Sequence, residues 1–405
     1  MRAHRVGLAA SGAALVYLGA QASAFGARAE GAPRAAFRST SAIRFGVIAD
    51  VQYADADDGT NFARTVKRHY RGALVQLTRA VAYWNDEPEP LAFVANLGDV
   101  IDGLCAKLGQ SERALDDVLS RFRRVVTAEG GGVVHLKGNH ELYNFPDVEE
   151  LGKRLDGLAG SPEYCSFGLS PAGAVGAARS GSVRVIALDP YQVAMMSPSE
   201  QVRSEARRML AQHNPHNVEG EGNWAVGLAS DKRHFVPYNG ALGTPQLQWL
   251  AAELRDAAAL GQRVVVLAHT PLHPHACGGS TMPWDYEDAL RVLRDEGGGG
   301  VVVAVFAGHD HTGGYAQDAG GFHHVTFQSP LNLGESGDCY GIVELDCERR
   351  FLAFHGPRLR DLLPARLAQG GALDNSPCRL TIDPLVSRAQ PLPSVADNES
   401  QTVRV

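Results

Sequence analysis

The sequence lacks the features that define several common classes of protein. It has six cysteines but no Cys-x-x-Cys pair, which argues against a structural zinc site and favours ordinary thiols, with disulfides as the open alternative. It has no lysine- and arginine-rich block, and its formal net charge is −7, so we predict no nucleic-acid partner. Any phosphate binding then needs a local positive centre, which bound metal ions would supply.

The apolar stretch near the N terminus is too weak to predict a stable membrane span. Residues 6–22 include Gly and Ser, follow Arg2 and Arg5, and precede Ala22-Ser23-Ala24, which is typical of a cleavage site. We therefore interpret residues 1–43 as a targeting leader. Its signal-like first half and basic, serine- and alanine-rich second half favour the secretory pathway or a plastid. A disordered low-complexity leader on a cytosolic protein is the alternative.

From residue 44 the pattern becomes globular. The hydrophobic fraction of 44% and charged fraction of 20% allow a sizeable core. Short β-branched apolar runs predict buried strands. These strands are at 45–48, 91–97, 133–136, 183–188, 263–268, 301–307, 324–328 and 341–346. Helical segments lie between several of them, so we predict an α/β layered domain over residues 44–357, with later strands antiparallel. Residues 358–405 are predicted to be a partly disordered extension.

Two helices and two long loops are also predicted. Apolar residues repeat at helical spacing between Leu115 and Val126, and again after Thr244-Pro245, which we interpret as an N-cap followed by proline at the first helical position. Residues 161–179 and 212–243 have no clear period and are predicted to be loops that form walls over a site.

Five short polar motifs each follow a predicted strand. They are Asp50-Val51-Gln52, Gly98-Asp99-Val100-Ile101-Asp102, Gly138-Asn139-His140-Glu141, His269 and Gly308-His309-Asp310-His311. The carboxyl ends of strands are where open α/β sheets place ligand sites. Carboxylate, amide and imidazole donors suit Mn, Fe, Zn or Ni, and one aspartate could bridge two such cations about 3.5–4 Å apart. A glycine before Asp99, Asn139 and His309 lets the backbone approach the site closely.

This ordered set resembles the calcineurin-like metallophosphoesterases, whose pattern is D-x-H, GDxxD, GNHE, an isolated His and GHxH. Gln52 stands where most of that superfamily has His. With glutamine at position 52, and with Asp58-Gly59 and Asn61-Phe62 after it, the sequence is similar to the manganese-dependent ADP-ribose/CDP-alcohol diphosphatases. This resemblance covers residues 44–356. The resemblance implies a layered metallophosphoesterase fold, in which helices sandwich mixed β-sheets and the site lies at the C-terminal ends of strands.

The resemblance also implies two divalent cations, Mn²⁺, and a role for each motif residue. One cation would be held by Asp50, Gln52 and His311. The other would be held by Asn139, His269 and His309. Asp99 would bridge them, and His140 would contact phosphate and act as general acid. Glu141 or Asp102 would orient these groups or serve only as structural hydrogen-bond partners.

The amide of Gln52 is a weaker donor than imidazole, which favours Mn²⁺-like ions over softer ones. The alternative is that Gln52 does not bind metal and water takes its position. Asp310 adds a carboxylate where relatives often carry Thr, and its effect stays open at this point.

A nucleoside diphosphate substrate would need a pocket for its base and sugar. The candidate contacts are Tyr143, Asn144, Phe145, Asn239 and Tyr315, with core packing as the alternative for the aromatic ones. We expect a monomeric enzyme that cleaves the phosphoanhydride of ADP-ribose, a CDP-alcohol or a similar compound into two phosphomonoesters. The alternatives are a phosphodiesterase or phosphomonoesterase on the same fold, or a non-catalytic scaffold.

Overall fold

A computed structural model describes residues 42–145, 148–155, 164–170, 173–215, 224–356, 358 and 378–382. The predicted leader therefore lies almost wholly outside the described residues, as does most of the predicted C-terminal extension. Among the described helices, none has the length and apolar character needed to span a bilayer.

The strands occur where the apolar runs predicted them, and several further strands lie between. In chain order they are β1 (Ile43–Ile48), β2 (Gly59–Thr60), β3 (Lys67–Arg68), β4 (Val94–Asn96), β5 (Val133–His135), β6 (Cys165–Leu169), β7 (Val175–Ala177), β8 (Val183–Ala187), β9 (Val193–Ala194), β10 (Gly240–Ala241), β11 (Arg263–Leu267), β12 (Val302–Ala307), β13 (Gly314–Gln317), β14 (His323–Thr326), β15 (Gly341–Asp346), β16 (Phe351–His355) and β17 (Cys378–Thr381). The helices are α1 (Tyr70–Asn85), α2 (Leu104–Leu108), α3 (Ser111–Phe122), α4 (Asn139–Asn144), α5 (Val148–Arg154), α6 (Glu200–His213), α7 (Gly243–Ala259), α8 (Tyr286–Gly297) and α9 (Pro330–Leu333).

Two mixed sheets form the centre of the fold. The first has the order β17-β16-β15-β1-β4-β5, in which β1, β4 and β5 are parallel and the other pairs are antiparallel. The second has the order β13-β14-β12-β11-β8-β6-β7, in which β8, β11, β12 and β14 are parallel. The prediction of antiparallel pairing among the later strands is thus confirmed for β15 and β16 and wrong for β14 against β12.

The two sheets pack face to face, with helices on their outer sides. Phe45 of β1 stacks on Phe93 at 4.7 Å between ring centroids and meets Phe306 of the other sheet at 5.9 Å. Along β11, Val265 joins this inter-sheet core while Val266 joins the cluster under α7 and α8. This alternation follows the period-two geometry of a strand. The predicted layered arrangement of sheets between helices is therefore confirmed.

Both helix predictions are right in position and wrong at one end. Helix α3 ends at Phe122, so Val126 lies beyond it and is exposed. Helix α7 begins at Gly243, and Thr244 is inside it instead of capping it. The carboxylate of Asp285 accepts hydrogen bonds from the backbone N–H of Leu242 and Gly243 at 3.0 and 2.8 Å. A residue more than forty positions away therefore accepts the free backbone N–H groups at the start of this helix, and the local sequence does not reveal this.

Two segments predicted to lack regular structure contribute strands. Strands β6 and β7 lie within residues 161–179 and extend the second sheet. Strand β17 lies within the predicted extension and pairs with β16, where Cys378 and Leu380 are buried in the inter-sheet core. The described part of residues 212–243 is largely loop, as predicted, apart from β10 and a short 3₁₀ turn.

Candidate active site

The five motifs meet where parallel strands of both sheets end. Asp50, Asp99 and Asn139 follow β1, β4 and β5 of the first sheet, while His269 and His309 follow β11 and β12 of the second. Backbone hydrogen bonds join neighbouring motifs within each sheet, from Asp50 N–H to the Gly98 carbonyl and from Gly308 N–H to the His269 carbonyl. The polar side chains are therefore brought together by the packing of two sheets, not by one sheet edge alone.

Charged and imidazole donors converge in two buried sets that share Asp99. One set contains Asp99, His269 and His309, and the other contains Asp50, Asp99 and His311, with the donor atoms of each set within 4.8 Å of one another. His269 Nε2 lies 3.5 Å from Asp99 Oδ2 and 3.2 Å from His309 Nδ1. His311 Nε2 lies 3.6 Å from Asp50 Oδ1. Two adjacent sets with one shared carboxylate have the arrangement that a pair of metal ions requires.

The motif backbone is unusually constrained at this point. Asp50, Gln52, Asp99 and His309 all have positive φ, at 50°, 41°, 54° and 64°. Non-glycine residues rarely adopt this left-handed region, and such strain is concentrated at functional sites. Four strained donors in one cluster indicate that the surrounding structure holds these side chains in place at a cost to stability.

At two motif glycines the backbone lies so close to a neighbouring carboxylate that a side chain would not fit, in line with the predicted close approach of the backbone to the site. A Cβ on Gly138 would lie 2.0 Å from Asp99 Oδ1, and one on Gly308 would lie 2.5 Å from Asp50 Oδ2. Neither glycine has a positive φ, so contact with the carboxylates, and not backbone freedom, excludes a side chain.

The three histidines each have one ring nitrogen occupied by an oxygen acceptor. His269 Nδ1 donates to the Leu97 carbonyl at 2.7 Å, and His311 Nδ1 lies 3.2 Å from Asn332 Oδ1. His309 Nε2 donates to Asn239 Oδ1 at 2.9 Å. The opposite nitrogen of each ring faces the donor cluster, where it could offer a lone pair to a metal ion. This is the second-sphere pattern found around metal-binding histidines.

The amide of Gln52 also fits a metal position. Its Nε2 donates to Asp99 Oδ2 at 2.7 Å and lies 3.0 Å from His311 Nε2, while its buried Oε1 has no hydrogen-bond partner among the described residues. A half-turn about the terminal side-chain bond exchanges the two ends of the amide. The oxygen would then join the carboxylate and imidazole donors of the same set.

Burial and crowding perturb the titration of these groups. Burial raises the pKa of Asp50. Burial also acts to raise the pKa of Asp99, but the charge and hydrogen bond of His269, together with contributions from neighbouring histidines, hold that pKa well below its usual range. Burial, and next the charge of Arg68, lowers the pKa of His311 to about 4. Several buried carboxylates crowded at one point are costly alone, and divalent cations would offset that cost.

Glu141 organises the motif backbone. Its fully buried carboxylate accepts hydrogen bonds from the N–H groups of Asp99, Val100 and Gly138 at 2.7–2.9 Å. It therefore ties the motif after β4 to the motif after β5. Between the two roles left open for Glu141, this geometry favours orienting the site.

His140 is held with its proton facing the cluster. Its Nδ1 accepts the backbone N–H of Gly103 at 2.7 Å, so the neutral ring carries its hydrogen on Nε2. That Nε2 lies 3.9 Å from Asp99 Oδ2, and the side chain keeps 13% of its surface exposed. A solvent-reachable N–H directed at the donor cluster is suited to a phosphate oxygen.

Of the five expected substrate contacts, Tyr143 has the most suitable position, because it is 40% exposed and its ring is 5.2 Å from that of His140. Phe145 is buried in the core cluster beneath the first sheet, and Asn239 is fully buried behind His309. Neither of these two side chains faces solvent, so a substrate contact at either position stays a prediction. Asn144 bonds the carbonyls of His140 and Asp102, and Tyr315 packs on the inter-sheet core with its hydroxyl 3.0 Å from His323 Nδ1.

Asp310 has a defined place. Its carboxylate accepts from Gly278 N–H at 2.6 Å and from the hydroxyls of Thr281 and Thr312. It thereby anchors the loop that carries Ser280, whose carbonyl receives the amide of Asn239.

Tyr191 and Arg68 were missed by sequence reasoning. The Tyr191 hydroxyl lies 3.3 Å from Asn139 Oδ1, and Arg68 Nη1 lies 3.4 Å from Asp102 Oδ2. Tyr191 follows the predicted strand at 183–188, so its position at a strand end was an available signal.

Comparison with known proteins identifies clear similarities. Residues 43–313 match the calcineurin-like phosphoesterase family model. The manganese-dependent ADP-ribose/CDP-alcohol diphosphatase of Arabidopsis thaliana is 35% identical over 304 residues, 74% of this chain and 90% of that protein. The Homo sapiens protein of the same name is 32% identical over 326 residues, 77% of this chain and 90% of its own length. A dimetal phosphatase from Danio rerio has a TM-score of 0.68 at 33% identity, covering 78% of this chain and 95% of that structure.

Proposed function

Because this chain belongs to the calcineurin-like phosphoesterase family and is a metal-dependent phosphohydrolase, we propose that it cleaves the phosphoanhydride of ADP-ribose, CDP-alcohols or similar nucleoside diphosphate compounds with Mn²⁺. The observation that carries the proposal is the convergence of the motif donors in two buried sets sharing Asp99. The similarity to named diphosphatases over about three quarters of the chain supports the substrate class.

We assign the metal-binding roles as follows. Asp50, Gln52 and His311 would hold one cation. Asn139, His269 and His309 would hold the other. Asp99 would bridge the two. When bound, such a pair supplies Lewis acidity that activates water and offsets charge on phosphate oxygens.

The chain's own contribution at the leaving group is a hydrogen bond from His140. As the bond between the attacked phosphorus and the bridging oxygen breaks, that oxygen keeps the electron pair and becomes a terminal oxygen of the departing phosphomonoester. It accepts a hydrogen bond from His140 Nε2–H, while the proton released by the attacking water passes to solvent. The Gly103 N–H keeps Nδ1 as an acceptor, so the proton stays on the nitrogen that faces the site. Water provides the new oxygen on phosphorus, and the products are two phosphomonoesters.

The test is release of phosphomonoesters from ADP-ribose and CDP-choline by the full chain, with Mn²⁺ and with Mg²⁺. We expect Mn²⁺-dependent turnover that falls at least about 1,000-fold in Asp99→Asn. The matched control is Asp117→Asn, because Asp117 lies on α3 with its side chain 39% exposed. Turnover of p-nitrophenyl phosphate without turnover of either diphosphate would favour the phosphomonoesterase alternative. No turnover of any compound with Mn²⁺ demonstrably bound would favour the scaffold.

We also propose a cleaved leader at residues 1–43, delivery to the secretory pathway or a plastid, and a monomeric state. The basis for the leader is its composition. N-terminal sequencing of protein from its native source and light scattering of the purified chain would test these points. An intact Met1 or a defined dimer would contradict the corresponding statement.

A further inference from the structure

Arg68 has an unused hydrogen-bonding group close to the metal-binding cluster. Its side chain is 23% exposed and ends beside Asp102, with a long contact of 3.4 Å from Nη1 to Oδ2. Its Nε is buried and has no hydrogen-bond partner among the described residues. A buried guanidinium N–H without an acceptor is costly, which favours a shift of this partly exposed side chain towards an anionic ligand.

The other cations near the motifs are already neutralised. Arg71, three residues further on, bonds Asp55 and Asp57 at 2.8 and 2.7 Å. Lys137, immediately before Gly138, is buried against Asp189 at 2.6 Å. Arg68 is paired with Asp102 only through a long contact and, unlike Arg71 and Lys137, keeps one guanidinium donor without an acceptor among the described residues.

The position of Arg68 relative to His140 indicates which part of a substrate it would meet. The Asp102 Oδ2 atom lies 3.4 Å from Arg68 Nη1 and 3.6 Å from His140 Nδ1. The guanidinium and the imidazole thus flank one carboxylate oxygen, next to the Nδ1 edge of the ring whose Nε2 faces the cluster. A second phosphoryl group that extends past the His140 ring would then meet Arg68.

We propose that Arg68 binds the second phosphoryl group of a diphosphate, the one that leaves, while the first is held over the shared Asp99. This inference rests on the proposed diphosphatase function. The planar guanidinium matches two phosphate oxygens at once, which gives both charge and orientation. A monophosphate has no group at this position. Arg68 would therefore select phosphoanhydrides over simple phosphate esters.

The experiment compares two ligands by isothermal titration calorimetry on the full Mn²⁺-loaded chain. The ligand α,β-methylene-ADP carries two phosphoryl groups and is not cleaved between them, whereas AMP carries one. We expect Arg68→Met to weaken methylene-ADP binding roughly 10- to 100-fold, the range for losing charged hydrogen bonds, and AMP binding less than about 3-fold. Arg68→Lys keeps the charge without the planar fork and is expected to lie between. Arg71→Met is the matched control and should leave both affinities unchanged.

The outcomes separate this inference from the proposed function. Equal weakening of AMP and methylene-ADP by Arg68→Met would overturn it, because Arg68 would then act through Asp102 or on the phosphate at the metals. Equal affinity of the unaltered chain for both ligands would also overturn it. If binding discriminates as expected but ADP-ribose is not hydrolysed, the proposed function fails and the phosphate subsite stands. Should Arg68→Met not fold, the comparison of Arg68→Lys with the unaltered chain still decides the question.

Discussion

Replacing Gly138 by alanine should inactivate the enzyme with a modest loss of stability. The added Cβ would lie 2.0 Å from Asp99 Oδ1 and 2.8 Å from Asp99 Cγ, roughly 1.4 Å short of an ordinary contact for the nearer atom. The Asp99 carboxylate or the start of α4 must move by a comparable distance. A displacement of about 1 Å at a reacting centre costs about 100-fold in rate. We therefore expect kcat for ADP-ribose to fall about 100-fold, and Mn²⁺ affinity to fall about 10-fold.

Steady-state kinetics and Mn²⁺ titration by electron paramagnetic resonance would measure these two changes. The matched control is Gly261→Ala, at the end of α7. Gly261 has φ of 68°, and no atom of the residues that the structure describes lies within 4 Å of the point that a Cβ would occupy, so alanine there meets backbone strain but no contact from them. That variant should lose about 1 kcal/mol of stability and keep its kcat. If Gly138→Ala instead folds normally and keeps both kcat and Mn²⁺ affinity within about twofold, the close packing of Gly138 on Asp99 is not what holds the site.

Three further predictions concern titration and metal binding. Burial lowers the pKa of His135 to about 3 in the folded chain. Between about pH 6.5 and pH 3, His135 is therefore protonated in the unfolded chain and largely neutral in the folded chain. Unfolding free energy should therefore fall as pH drops from about 6.5 towards 3, by about 2 kcal/mol at pH 5, and urea titrations should show this loss reduced in His135→Gln. Asn332→Ala should weaken Mn²⁺ binding about 10- to 100-fold, because His311 Nδ1 loses the oxygen that orients its ring. The control Asn85→Ala removes a bond to the Arg124 carbonyl, far from the motifs, and should leave Mn²⁺ binding unchanged. Calorimetry with Mn²⁺ would measure both affinities. When free Mn²⁺ is about 100 times its Kd, removing the metal with a chelator should lower the free energy of unfolding by about 2.7 kcal/mol. A thermal midpoint that the chelator leaves unchanged would contradict a metal that binds the folded state.

The identity of the site was readable from the sequence because its donors lie in short motifs at strand ends. Asp99 and His309 each follow a β-branched apolar run and a glycine, and both features are local. The carboxyl ends of parallel strands lie at one edge of a sheet, so such motifs can be expected to meet. The glycines before Asp99, Asn139 and His309 predicted a close approach of the backbone to the site, and the structure identifies Asp99 as the group that Gly138 meets. These predictions needed only periodicity and residue chemistry.

Roles that depend on partners distant in the chain required the tertiary structure. Asn239 is predicted from the sequence as a substrate contact, and only the structure shows that its oxygen bonds the ring of His309 seventy residues away. The acceptor for His311 is Asn332, which no motif marks. The backbone N–H groups at the start of α7 donate to Asp285, and the local Thr244 does not cap the helix. In each case the hydrogen bond joins segments that only sheet and loop packing brings together.

The sequence by itself determined the family pattern, the strands that carry the motifs and the chemistry of the donors, because those depend on residue type and short spacing. Only the tertiary structure decided which ring nitrogen of each histidine faces the cluster, and that Arg68 lies beside Asp102 with an unused donor. One sheet combines early and late strands, the other uses the strands between them, and the two must pack face to face before these atoms are neighbours. Hydrogen-bond directions follow from that packing, and no local pattern encodes them.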